Sequence, residues 1–192
     1  MRIKTVVSVI FALAAAALIA AAAGIIKGRL EKRDFPLVYP ELVKRCADEY
    51  ELDPYLIEAI INVESSVRPD AVSGAGAAGL MQIMPDTGEW IAGKLKLEEY
   101  DLTYPETNIS IGCWYLKFLN GRFDDSACVI AAYNAGHNAV KKWLDGEYSS
   151  DGTTLDEIPY PETRDYVKKV QRAYEKYKQI YPEGFAQAAE AG

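Results

Sequence analysis

The chain has 192 residues, 49% hydrophobic and 26% charged, a composition ordinary for one globular domain whose core stands without staples. Its 21 Lys/Arg against 28 Asp/Glu give a net charge of −7 at pH 7, the wrong sign for binding nucleic-acid phosphates. Cys46, Cys113 and Cys128 are too few for a disulfide framework and lack metal-like spacing, so they read as buried helix thiols. One disulfide plus one free thiol is the alternative for an exported chain.

Val6 to Ile26 is an uncharged, mostly apolar run of 21 residues, long enough to span a bilayer as a helix. Arg2 and Lys4 precede it; Lys27, Arg29, Lys32 and Arg33 follow. A membrane anchor is favoured over a secretory signal cut near Ala20 to Gly24, because the run is long for a signal core. The Lys/Arg flanks, read alone, would keep the C-terminal side in the cytoplasm. Residues 1–34 hold six basic and two acidic residues, which leaves 15 basic and 26 acidic beyond them, a net −11. That balance repels anionic surfaces and suits a neutral or locally cationic ligand. The division expected is an anchor or signal segment with a charged linker over 1–34, one domain over 35–182, and a frayed tail over 183–192.

Residues 27–39 read as the charged linker, with Pro36 and Pro40 at its end. A helix follows over Glu41 to Tyr50. Asp53 caps the next, with Pro54 at its first position, and it runs to Ser65 or Ser66. Pro69 and the run Ser73 to Gly79 predict a loop. Met81 to Met84 and Thr87 to Lys94 predict short helical pieces separated by Pro85. Further helices are expected over Pro105 to Phe118, Asp124 to Tyr133 and Asn138 to Leu144. Tyr148 to Pro161 reads as a turn-rich connection. Thr163 to Tyr181 predicts a last amphipathic helix with Tyr166, Val167, Val170, Tyr174 and Tyr177 on one side. No segment alternates like a strand, so the class is all-α, a compact helical domain behind one N-terminal hydrophobic helix.

One residue stands out within this pattern. Ile57, Ile60 and Ile61 form an i, i+3, i+4 apolar face, and Glu64 falls at i+7 on it. Apolar surroundings disfavour the charged form of a carboxyl and raise its pKa. An acid kept protonated near neutral pH can donate a proton to a glycosidic oxygen. The ordinary alternative is a hydrogen-bonded structural acid.

Four motifs in order then carry a family resemblance. They are Glu64-Ser65-Ser66; Pro69, Ala71, Ser73 and Gly79-Leu80-Met81-Gln82; Ala132-Tyr133-Asn134-Ala135-Gly136; and Pro161-Glu162-Thr163 with Tyr166-Val167. Over about residues 40–180 the chain resembles the soluble-type lytic transglycosylase catalytic domain, related in fold to goose-type lysozyme. The resemblance implies a lysozyme-like cleft and peptidoglycan glycan strands as substrate. The bond cut would be the β-1,4 link between N-acetylmuramic acid and N-acetylglucosamine, closed as a 1,6-anhydro ring. Glu64 would serve as acid and then base.

The resemblance also assigns substrate-binding positions. Ser73 matches a residue near the substrate N-acetyl group, with a loop hydroxyl bonding its own backbone as the plain reading. Gln82 matches a substrate-binding amide, aimed by the permissive Gly79. Met84 is placed against a sugar, whereas Met81 reads as core. Tyr133 and Asn134 match a pair beside the acid, Tyr133 either orienting Glu64 or touching sugar. Glu162 matches a second, binding acid, at a helix start that also favours acids. No metal site and no phosphate cradle stand out, so no cofactor is implied.

Two departures stand against the family pattern: His137-Asn138 where Pro-Gly is common, and Ser66 where Gly is common. A water-using muramidase remains open, with Asp70, Asp86 or Glu89 as the second carboxylate. So does a glycan-binding module without chemistry. The resemblance places the domain outside the cytoplasm, tethered to the membrane through the N-terminal helix, or secreted after signal cleavage. A partner from the cell-wall or secretion machinery is left open.

Overall fold

The structure, a computed structural model, describes residues 3–190, with side chains from Phe11 onward except Ala12. Arg2 and the Lys4 side chain, expected to flank the apolar run, lie outside that description. The chain divides after Pro36 into two units.

The first unit is a single helix, α1 (Ile3–Asp34). Its stretch Leu13–Asp34 is long and apolar enough to cross a membrane by length and composition. The predicted charged linker does not begin at Lys27. The helix continues to Asp34, where the charges include an i, i+4 pair of opposite sign: Lys27 Nζ lies 4.0 Å from Glu31 one turn on. It ends just ahead of Pro36, as the residue before a proline avoids helical angles.

The second unit contains α2 (Pro40–Tyr50), α3 (Pro54–Ser65), α4 (Pro85–Leu95), α5 (Pro105–Asn120), α6 (Ser126–Ala135), α7 (His137–Leu144), α8 (Pro161–Ile180) and α9 (Phe185–Glu190). Proline opens α2, α3, α4, α5 and α8, where its missing N–H costs nothing. Asp53 caps α3 by accepting from the Tyr55 N–H at 2.9 Å, and Asp125 caps α6 by accepting from Cys128 N–H at 2.9 Å.

α3 is the central element. Ile57, Ala59, Ile60 and Ile61 are fully buried, and α3 packs chiefly on α8, whose Tyr166, Val167, Val170, Ala173 and Tyr177 are buried too. Each buried isoleucine contributes about 1.5–3 kcal/mol. Tyr174 differs from the expected face: it is half-exposed, and its hydroxyl donates to Asp53 Oδ2 at 2.7 Å, tying α8 to the cap of α3. All three cysteines are buried free thiols.

Two further expectations fail. Met81 to Met84 is not helical. Antiparallel bridges Val72–Ala78 and Ala78–Ile83 hold this stretch as a looped hairpin, and Gly79 and Gln82 sit at φ +78° and +47°, outside the helical region. Pro85 does not separate two helical pieces but begins α4. The tail is not frayed over 185–190. Phe185 and Ala188 are buried, Tyr55 packs edge-on against Phe185 at 5.6 Å, and the Tyr55 hydroxyl donates to the Tyr181 carbonyl at 2.8 Å.

Candidate active site

Glu64 occupies the last turn of α3, where the apolar stripe ends at the surface. Its carboxyl is half-buried, and burial raises its pKa to about 7. One hydrogen bond opposes that rise: the Tyr166 hydroxyl donates to Glu64 Oε1 at 2.6 Å. Desolvation wins, so the group is poised to hold or release a proton near neutrality. Tyr166 itself is buried, and its hydroxyl is pushed well above the ordinary range by burial and by the Glu64 charge. It therefore stays a donor.

Immediately beyond Glu64 the chain is strained. Ser66 and Val67 adopt φ +51° and +59°. Ser66 is the left-handed C-cap of α3, which explains why glycine suits that position. A left-handed Ser and a left-handed β-branched Val cost about 1–2 kcal/mol each. The turn swings the chain away from the carboxyl and into the hairpin.

The hairpin is clamped by Asn108 of α5, a fully buried amide. Asn108 Oδ1 accepts from the Met81 N–H at 2.7 Å; its Nδ2 donates to the carbonyls of Ala78 at 2.8 Å and Leu102 at 2.7 Å. Three backbone groups are thus satisfied by one side chain, so Asn108→Ala is expected to destabilise by about 2–4 kcal/mol, read as a lowered urea midpoint. Nothing in the sequence distinguished Asn108, because its role needs α5 brought against a segment 27 residues earlier.

The predicted binding residues divide by their contacts. Gln82 spends both amide hydrogens on its own loop, donating to the carbonyls of Ala71 at 3.0 Å and Gly79 at 2.9 Å. Ser73 is exposed, and its Oγ accepts from Ala77 N–H at 3.0 Å. No described contact joins Ser73 to Glu64. Met84 is exposed at the N-cap of α4, whereas Met81 is fully buried, as expected for core. Tyr133 donates to the Met81 carbonyl at 2.9 Å, and Glu64's charge reaches its hydroxyl. Of the two roles open to Tyr133, orienting Glu64 falls instead to Tyr166. Asn134 Oδ1 accepts from Thr163 Oγ1 at 2.8 Å, joining the end of α6 to the first turn of α8, where Glu162 is exposed.

Other acids differ from Glu64 in burial. Glu58, also on α3, is 0% exposed, and both its oxygens lie within hydrogen-bond reach of the Val38 N–H, at 3.1 and 3.3 Å. Sealed so, it cannot exchange protons with a ligand. Asp70, Asp86 and Glu89 are all exposed. Tyr166 is the residue that sequence reasoning missed as part of the site. Its motif was legible, but its partner was not.

Known proteins resemble this chain over most of its length. The family described as Transglycosylase SLT domain matches residues 41–155. The soluble lytic murein transglycosylase of Escherichia coli K12 is 37% identical over 166 residues, covering 83% of this chain and 25% of that protein. The membrane-bound lytic murein transglycosylase C of Haemophilus ducreyi is 32% identical, covering 74% and 46%. Among solved structures, the 70-kDa soluble lytic transglycosylase of E. coli superposes with a TM-score of 0.70 at 34% identity, over 78% of this chain and 25% of that one. An inactive Glu-to-Gln variant of the Pseudomonas aeruginosa lytic transglycosylase Slt superposes at 0.67 with 34% identity, over 76% and 24%. The chain thus spans about a quarter of the length of the soluble relatives it matches. Matched over more than half its residues, this chain belongs to the transglycosylase SLT domain family.

Proposed function

We propose that this chain is a peptidoglycan lytic transglycosylase, cutting the β-1,4 bond between N-acetylmuramic acid and N-acetylglucosamine and leaving 1,6-anhydromuramic ends. The observation that carries this reading is the half-buried carboxyl of Glu64, with its pKa raised to about 7 and its Oε1 held by Tyr166. Glu64 donates its proton to the glycosidic oxygen as the bond to C1 breaks. The muramic C6 hydroxyl then attacks C1, and the Glu64 carboxylate removes its proton. Acid and base are regenerated with no water consumed. An intramolecular nucleophile supplies the effective molarity that a two-carboxylate glycosidase obtains from an activated water. The substrate's own N-acetyl group stabilises the developing cation in such one-acid schemes.

Ser73, Gln82, Met84, Tyr133, Asn134 and Glu162 are proposed to line the glycan path. Gln82 contributes chiefly its carbonyl, since its hydrogens hold the loop. α1 is proposed as a tether that keeps the domain on the wall side of the membrane. Its length and composition support this, as does the resemblance to a membrane-bound relative.

Mass spectrometry of purified peptidoglycan digested by the full chain tests the reaction. Anhydro-ended muropeptides are expected. Reducing ends one water heavier would replace the reading with a muramidase, and intact strands would replace it with a binding module. The pH profile adds a second check. Donation requires the protonated acid, so the rate falls as pH rises through about 7. Because the Tyr166 hydroxyl favours the charged form, Tyr166→Phe is expected to move that alkaline limb to higher pH while lowering the rate by roughly tenfold or more. An unmoved limb would remove Tyr166 from the site.

A further inference from the structure

We infer that Trp90, seated on Trp114 and Phe118, is a stacking platform that extends the glycan path beyond Tyr133 and holds the apolar face of a further amino-sugar ring. This rests on the glycan reading above and names a place that the family motifs do not include.

A chain of ring contacts, buried at Tyr115, joins Tyr133 to these three rings. Tyr133 lies beside Glu64; Tyr115 is 5.5 Å from Tyr133, and Phe118 is 6.0 Å from Tyr115. Trp90 of α4 then meets Phe118 at 4.8 Å and Trp114 at 5.3 Å, both edge-on, while Trp114 and Phe118 lie nearly parallel at 18°. Burial changes along this line. Tyr115 is core at 8% exposed, Trp114 and Phe118 are half-buried, and Trp90 reaches 37%. Each aromatic pair is worth about 0.5–1.5 kcal/mol beyond its buried area, which holds the exposed rings in place before a ligand arrives. A partly exposed tryptophan fixed by neighbours loses little freedom on binding. A pyranose ring offers the matching chemistry: an apolar C–H face to stack and a rim of hydroxyls to bond.

The rim of the platform is polar. The Arg122 guanidinium sits 3.5 Å over the Phe118 ring and donates to the Phe118 carbonyl at 3.3 Å. His137 stands edge-on to Phe118 at 5.3 Å. Burial and the nearby Arg122 lower its pKa, so near neutral pH its ring both donates and accepts. The second unit's acidic balance repels carboxylates generally, and Arg122 gives this one edge the charge that a muramic or stem-peptide carboxylate would meet.

The test uses the full chain carrying Glu64→Gln in detergent micelles, titrated with N-acetylglucosamine disaccharide and hexasaccharide. The hexasaccharide is expected to shift the tryptophan fluorescence. Trp90→Ala should weaken hexasaccharide binding by roughly tenfold, a change of one unit in log Kd, and leave the disaccharide unchanged. Trp90→Phe should keep most of the affinity. Equal hexasaccharide binding by Trp90→Ala and its parent would overturn the platform. So would an equal loss for both sugars, or a Trp90→Phe as weak as Trp90→Ala. In any of these cases anhydro products from the Glu64 chain would leave the enzymatic reading standing. A parent that binds neither sugar overturns the platform and, if digestion also yields no products, the catalytic reading with it.

Discussion

Glu64→Gln is expected to retain glycan binding and to lose between about a hundredfold and ten-thousandfold in turnover, the range general acid catalysis usually supplies. Glutamine fills the same space and can still meet the Tyr166 hydroxyl, so the packing of α3 on α8 is undisturbed. It has no acidic proton to give. Residual activity above about a tenth of the parent rate would refute the assignment of Glu64 as acid. Stability should move the other way. The folded pKa of Glu64 is about 7, above its unfolded value, so the folded state binds the extra proton. Stability from this group is therefore present at low pH and lost as pH rises toward and through about 7. Glutamine carries no such loss. The variant should melt above the parent at pH 8 by an amount worth about 2 kcal/mol, and the two curves should converge near pH 4. A parent that melts higher at pH 8 would contradict the burial of this carboxyl.

Gly79→Ala is expected to be the most damaging small substitution in the hairpin. Gly79 has φ +78°, which an alanine reaches only with strain, and an added Cβ would collide with the Leu102 carbonyl and the Asn108 amide. Neither obstacle is the free end of a flexible side chain. Asn108 is locked by its three bonds, and Leu102 contributes backbone. Strain and overpacking together cost about 3 kcal/mol or more, because the clamp must open to make room. The effect should appear both as a lowered melting midpoint and as weaker glycan binding, since the hairpin carries Gln82 and the Met81 carbonyl that holds Tyr133. Gly74→Ala is the matched control. Open space surrounds that position, its φ is unremarkable, and little change is expected. Equal melting of the two variants would show that Gly79 is not pinned.

Helix placement was largely legible because it rests on local chemistry. Asp53-Pro54 announces a capped start by itself, and the period of Ile57, Ile60 and Ile61 announces a buried face without reference to anything distant. Local pattern misled where two local preferences competed. Met81 to Met84 has helix-forming residues, yet Gly79, Gln82 and the bridges to Val72 and Ala78 hold it open. The tail looked weak in isolation, but Phe185 finds Tyr55, which no window of nearby residues contains. The charged residues after Ile26 looked like a linker, while their i, i+4 spacing favours the helix they form.

The candidate site divides along the same line. That Glu64 would lie on an apolar face was determined by the sequence alone, since helical period is a property of neighbours in the chain. The ordered motifs, likewise local, resemble its family without reference to tertiary structure. Tertiary structure alone decided which hydroxyl holds the acid. Tyr133 and Tyr166 are both motif tyrosines, and only the packing of α3 against α8 hands Glu64 to Tyr166, 102 residues away, while Tyr133 turns to Met81. It alone made Asn108 a clamp and sealed Glu58 against Val38. A side chain's pKa and partners depend on what encloses it, and in this fold what encloses Glu64 comes from the far end of the chain.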